Sequence, residues 1–135
     1  MFVIDQISEG SGSPTRVSIE EAADSASIRL DILSKECSDA VSLDLSNFCV
    51  QWKSIGRRVG LTEGDLTAID EDKKTAKEKR VGMLNEWKSK FAFKATYRAL
   101  IEALLAEGRS AEAIEACKVI KAAEGWLYHV SGKAK

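Results

Sequence analysis

The side chains with the strongest claim to chemistry in this sequence are three cysteines, one histidine and a segment of abrupt charge reversal. Cys37, Cys49 and Cys117 are odd in number and widely scattered, with no C-x-x-C spacing. They read as free thiols in a reducing compartment, which argues against a disulfide framework and against a metal site. The single His129 lies in the tail and weakens the case for metal further. No Gly-rich phosphate loop, HExxH pair or nucleophile elbow is present, so no catalytic, cofactor-binding or metal-ligating residue is assigned. The chemistry that remains is that of charge. In AIDEDKKTAKEKRVGMLNEWKSK, residues 68–90, Asp70, Glu71 and Asp72 are followed at once by Lys73, Lys74, Lys77, Lys79 and Arg80. An apolar stripe ending at Trp87 comes directly after.

The same asymmetry runs through the whole chain. Residues 1–47 hold nine acids against three bases, and residues 48–135 hold seventeen bases against twelve acids, so the net charge of −1 conceals an acidic arm and a mildly basic body. With 135 residues, 44% apolar and 30% charged, the chain has room for one globular domain and an arm. No apolar run approaches the roughly 20 residues of a membrane span. The opening MFVIDQ is too short and too acidic for a secretory signal. Together with the free thiols, this points to the cytoplasm.

Helical periodicity supplies the elements that would position these charges. GSGSP at 10–14 is linker chemistry and makes residues 1–17 a flexible entry. Ser18 with Glu21 has capping-box spacing ahead of Ile19, Ala22, Ala23, Ala26, Leu30 and Leu33, which predicts one helix over 18–36. The acidic arm, residues 18–40, can thus add one helix to the body. Phe48, Trp52, Ile55 and Val59 share one helical face, and Gly60 stops it. Thr62 with Asp65 opens a short helix carrying Leu66 and Ile69. Thr75 with Glu78 opens a longer one carrying Val81, Leu84, Trp87 and Phe91. Tyr97, Leu100, Ile101, Leu104 and Leu105 form the strongest stripe, ended by Gly108. Ser110 is expected to cap a last helix with Ile114, Cys117 and Ile120. No segment alternates as a strand would, so the chain is all-α. The expected core comprises Trp52, Ile55, Leu66, Ile69, Leu84, Trp87, Leu100, Leu104 and Ile114, and Cys117 is expected to be buried with it. In the tail, residues 125–135, Trp126, Leu127 and Tyr128 are expected to fold back on the bundle.

Three strings in this helical body resemble one family. WKSIGRRVGLTEGDLTAIDEDKK is similar to the tryptophan-led segment of death domains, MLNEWKSK to their fourth helix, and KATYRALIEALLAEGRSAEAIE to their fifth helix running into the sixth. The likeness spans about residues 42–122, within a domain placed at 41–124, with Trp52 and Trp87 in register. Ile55 and Gly56 depart from the more usual Leu-Ala. Gly82 inside the fourth helix lowers helix propensity by about 1 kcal/mol relative to Ala and suggests a close helix approach.

This resemblance implies a six-helix antiparallel Greek-key bundle with no enzymatic activity. It also implies homotypic or heterotypic binding to other death-domain proteins in apoptotic or innate-immune signalling, with weak self-association and no small-molecule substrate or membrane insertion. The contacts would be opposed charged patches. Glu63, Asp65, Asp70, Glu71 and Asp72, on and after the second helix, would form the acidic side. Arg57 and Arg58 on the first helix, with Lys88 and Lys90 on the fourth, would form the basic side, and the run 73–80 would lie toward the third helix. Charged runs are ordinarily just the solvated faces of helices. Two rival readings stand beside this one: a helical nucleic-acid-binding domain using residues 73–80, and an autoinhibitory domain of a larger chain. The first is weakened by the acids that precede the run and by a sequence pI of about 5.9.

Overall fold

Hydroxyl side chains fix where most of the helices begin. The computed structural model describes residues 17–125. Among them it contains α1 (Ile19–Ala26), α2 (Leu30–Leu33), α3 (Asp39–Leu45), α4 (Trp52–Arg58), α5 (Glu63–Asp72), α6 (Ala76–Phe91), α7 (Tyr97–Ala106) and α8 (Ser110–Ile120). The three expected capping boxes all form: Ser18 with Glu21, Thr62 with Asp65 and Thr75 with Glu78 exchange hydrogen bonds between side chain and backbone. Ser38 and Thr96 cap α3 and α7 by accepting from the N–H groups of Val41 and Ala99. The entry up to residue 16, the aromatic cluster Trp126–Tyr128 and His129 lie outside the described residues.

The boundaries differ from the periodicity in three places, each for a local reason. The single helix expected over 18–36 breaks at Ser27, which turns left-handed (φ 57°). Ser27 N–H donates to Asp24 C=O and Ile28 N–H to Ala23 C=O, a Schellman closure that drives Ile28 into the core. The helix expected to run from Phe48 through Val59 is instead a 3₁₀ turn (Ser46–Phe48) after α3, a break at Cys49–Gln51, and then α4. Cys49 makes the break: its N–H returns to Ser46 C=O and its fully buried thiol plugs the core between the two elements. Ser110 is the first residue of α8 and makes no capping bond; Arg109 holds the cap position.

Among the described residues six α-helices therefore follow residue 36, and the one carrying Arg57 and Arg58 is the second of them, not the first. The acids of α5 correspondingly sit on the third, while Lys88 and Lys90 are on the fourth as expected. The run 73–80 joins the third helix to the fourth and forms the fourth helix's opening turns.

The core is organised around α6 and α8. Met83, Leu84 and Trp87 of α6 face α3, α4 and α5, and α8 packs against α1, α3 and α7. Eight of the nine expected core residues are buried; Ile114 is only partly covered. The inward face of α8 is carried by Ala113, Ala116, Cys117 and Ile120, a quarter-turn away from the residue the sequence suggested. The same core takes in Ile19, Ala22, Ala23 and Ala26 of α1. An isolated bridge between Glu36 and Thr96 ties the lead-in of α3 to that of α7, through Cys37 N–H to Ala95 C=O (2.9 Å) and Tyr97 N–H to Lys35 C=O (3.1 Å). At this junction Tyr97 Oη accepts from Ser38 N–H (3.2 Å) and donates to the Glu124 carboxylate (2.6 Å), joining three segments. Burial, then the Glu124 carboxylate, pushes the phenol up to about 12.

Candidate protein-interaction surface

The ends of α4, α5 and α6 pair Arg57 with Glu63 and Lys90 with Asp65, so the expected charges do not form two separate patches. Gly60 lets α4 stop abruptly (φ 107°), and the chain turns straight into the Thr62 cap of α5. That short turn places Arg57, in the last turn of α4, against Glu63, in the first turn of α5. The guanidinium donates to both carboxylate oxygens of Glu63. Its hydrogen bonds hold the Glu63 carboxyl below the usual carboxylate range, and Glu63 in turn raises Arg57. Arg58, one residue on, points elsewhere and donates to Glu107 at the end of α7.

On α6, Lys90 reaches back to Asp65, and Lys88 reaches Asp39 at the start of α3. Both carboxyls are held low, first by the lysine hydrogen bond; Asp65 is further lowered by the Thr62 N–H that it accepts as a cap. Asp70 is bridged between Lys79 (2.7 Å) and Lys53 (2.9 Å), and these two hydrogen bonds depress it in that order. Asp72 lies 3.3 Å from its neighbour Lys73. Among the described residues, no ion pair is made by Glu71, Lys74 or Lys77.

The four bases expected to form one patch thus go to four different carboxylates, and two of these, Glu63 and Asp65, belong to the expected acidic side. The five acids also divide along α5, which is about 15 Å long at 1.5 Å per residue. Glu63 and Asp65 stand at one end; Asp70, Glu71 and Asp72 stand at the other. Lys53, Lys79, Asp39 and Glu107 complete the network; sequence reasoning missed Lys53, Asp39 and Glu107 and placed Lys79 only in the basic run 73–80. Arg58 and Glu107 are 49 residues apart, and no local spacing signals such a pair.

The thiols are inert by position. Burial pushes Cys37 and Cys117 up to about 11 and Cys49 up to about 12, so all three stay protonated at neutral pH. Among the described residues no group of three His, Cys, Asp or Glu side chains converges on a common point where a metal could be held. No helix among them is long and apolar enough to cross a membrane.

What this surface can do is bind charge. The Arg57–Glu63 pair is open to water, with side-chain exposures of 48% and 69%, while Asp65, Lys88 and Glu107 are more covered. A family model for the death domain matches residues 36–118, from the lead-in of α3 to the last turns of α8. Comparison with curated proteins and with solved structures gives no match. The match covers well over half of the chain, and it contains the buried Trp52 and Trp87 on which the helical register rests. The chain belongs to the death-domain family, a non-catalytic group of protein-interaction modules in signalling.

Proposed function

We propose that this protein assembles signalling complexes in the cytoplasm by homotypic or heterotypic contacts with other death domains, in pathways of the apoptotic or innate-immune type. The observation that carries this reading is the network of ion pairs across α4, α5 and α6, with the solvent-open Arg57–Glu63 pair and the half-covered Lys90–Asp65 pair at its centre. Exposed pairs add little net stability in water, so an approaching domain can exchange its own charges for the internal ones at small cost. Opposed charges then speed encounter and reject wrong partners more than they supply affinity. Single contacts are weak, and clustering of several copies supplies the avidity.

The test is capture by the immobilised full chain from native lysate at low and at physiological salt, with the retained chains identified by mass spectrometry. Salt-sensitive recovery of other death-fold proteins supports the proposal. Retention of nucleic acid in place of such proteins would instead favour a phosphate-binding role for residues 73–80.

A further inference from the structure

Beyond the paired charges lies a groove of about 530 Å³ between the end of α5 and the first half of α6, with Lys73, Lys74, Lys77, Val81, Gly82 and Asn85 along its walls. Gly82 lets the two helices close on each other there. A Cβ at this position would lie 3.3 Å from Lys73 Cε and 3.4 Å from Ile69 Cγ2. The groove's own acids are engaged. Asp72 pairs with Lys73, and the Glu78 carboxylate is folded back as a cap that accepts from the N–H groups of Thr75 and Lys74. Among the described residues Lys74 and Lys77 have no carboxylate partner, and they flank the positive end of a 16-residue helix. With three bases against two acids along its walls, the groove therefore presents net positive charge.

A surface of opposite sign stands on α1. Its inner face, Ile19, Ala22, Ala23 and Ala26, is seated on α7 and α8. Its outer face carries Glu20, Glu21 and Asp24, all exposed, and residues 17–28 contain no Lys or Arg at all. The next base after the helix, Arg29, is held by Asp31 at 3.0 Å, and Arg16 precedes the helix in sequence. The C-terminal end of the helix adds its own partial negative charge. Among the described residues no ion pair is made by Glu20, Glu21 or Asp24. This helix precedes the region matched by the family model, so its acidic face is a property of this chain and not of the family core.

We propose that the Lys74–Lys77 groove takes the acidic outer face of α1 from a second copy of the chain, so that copies associate head to tail. The two surfaces differ, so each added copy leaves one of each kind open, and the association is heterologous and does not close. It uses neither the Arg57–Glu63 pair nor the Lys90–Asp65 pair, and so it stands or falls separately from the binding of other death domains.

The test is sedimentation velocity of the full chain at about 0.01 M and about 1 M salt, where screening lengths are roughly 30 Å and 3 Å. Wild type should self-associate at low salt and be monomeric at high salt. Lys74→Glu with Lys77→Glu, and separately Glu20→Lys with Asp24→Lys, should each weaken self-association about tenfold or more, because like charges then face each other. Glu21 is left intact because it caps α1, and Glu20→Gln with Asp24→Asn gives a milder loss should the reversed pair prove unstable by circular dichroism. Mixing the two reversed proteins should restore association, since each then offers the surface that the other lacks. Wild type that stays monomeric at about 1 mM in low salt, a reversed protein that associates like wild type, or a mixture that remains monomeric would each overturn the proposal. Capture of death-fold partners should persist in the Glu20/Asp24 variant, so a loss confined to self-association identifies this contact alone.

Discussion

Arg58, in the last turn of α4, donates through Nε to the carboxylate of Glu107 just beyond α7 and so pins two helices whose sequences lie 49 residues apart. The two ends of this pair are unequal: the Arg58 side chain is 45% exposed and that of Glu107 only 13%. Removing Arg58 leaves a largely covered carboxylate without its partner, whereas removing Arg57 leaves only the open Glu63. Arg58→Ala should therefore lower the urea midpoint more than Arg57→Ala does. A double-mutant cycle with Glu107→Ala should give a coupling of roughly 1 kcal/mol. Equal midpoints for the two arginine variants would mean that Arg58 does not tie α4 to α7.

Trp87 is 1% exposed and sits where α6 meets its neighbours. Trp87→Ala should cost roughly 3–5 kcal/mol by chemical denaturation, a large part of a typical domain stability of about 5–15 kcal/mol. Trp52 lies at the margin of the core at 9%, with the Lys53 ammonium 5.7 Å from its ring, so Trp52→Ala should fall at the lower end of that range. A loss below about 1 kcal/mol for Trp87→Ala would contradict its place in the packing.

The sequence carried the helix starts because a cap is a local device. Thr62 and Asp65, or Thr75 and Glu78, need only each other and three residues of spacing. It carried the core register because Trp52 and Trp87 recur with apolar neighbours at helical intervals. The breaks at Ser27 and Cys49 were not legible. A left-handed serine and a buried cysteine plug are chosen by what lies across the core, and both fall inside stretches whose apolar spacing continues regardless. For the same reason α3 was missed: its Val41, Ser42 and Leu45 make a short and partly polar inner face. The charges were legible as residues but not as pairs. Lys90 meets Asp65, and Lys88 meets Asp39, only after the bundle has closed.

The first helix should matter to folding out of proportion to its length. Ile19, Ala22, Ala23 and Ala26 cover α7 and α8, with Ile28, Ile32 and Leu33 continuing the same apolar layer. A chain beginning at residue 36 keeps the whole matched region yet exposes the other side of that layer. It should melt at markedly lower temperature than the full chain or lack a cooperative transition by circular dichroism. Ala23→Glu, which buries a charge against these helices, should reproduce the loss in the full chain. An unchanged melting midpoint in both would show that α1 is dispensable.

Stability should form a plateau in pH with a limb on each side. The carboxyls of Asp39, Glu63, Asp65, Asp70 and Glu78 are all lower in the folded chain than their ordinary 3.8 for Asp and 4.5 for Glu. Near and below those values the unfolded chain binds more protons, so the stability these groups add is present above about pH 5 and is lost as pH falls through their folded values. Being exposed, they should give a shallow acid limb that flattens in high salt. The buried thiols have the opposite sign. Cys49 rises from an ordinary 9.0 to about 12, and its contribution is intact below pH 9 and lost as pH climbs toward the folded value. Melting midpoints measured from pH 3 to pH 11 should show both limbs, and Cys49→Ala should lessen the alkaline one. A midpoint that rises on acidification below pH 5 would contradict the carboxylate assignments.

The most direct test of the interaction surface exchanges Arg57 and Glu63. In the variant carrying Arg57→Glu and Glu63→Arg, the internal ion pair can re-form with its ends reversed, so the fold should hold with a modest fall in melting midpoint, because each charge now opposes the dipole of its helix end. The charge offered to an incoming domain at each position is nevertheless inverted. Capture of death-fold proteins by the immobilised full chain at low salt should then fall sharply, while the helical circular dichroism spectrum is unchanged. Capture by the exchanged variant equal to that of wild type, from a chain that still unfolds cooperatively, would contradict the claim that partners bind through the charges of α4 and α5.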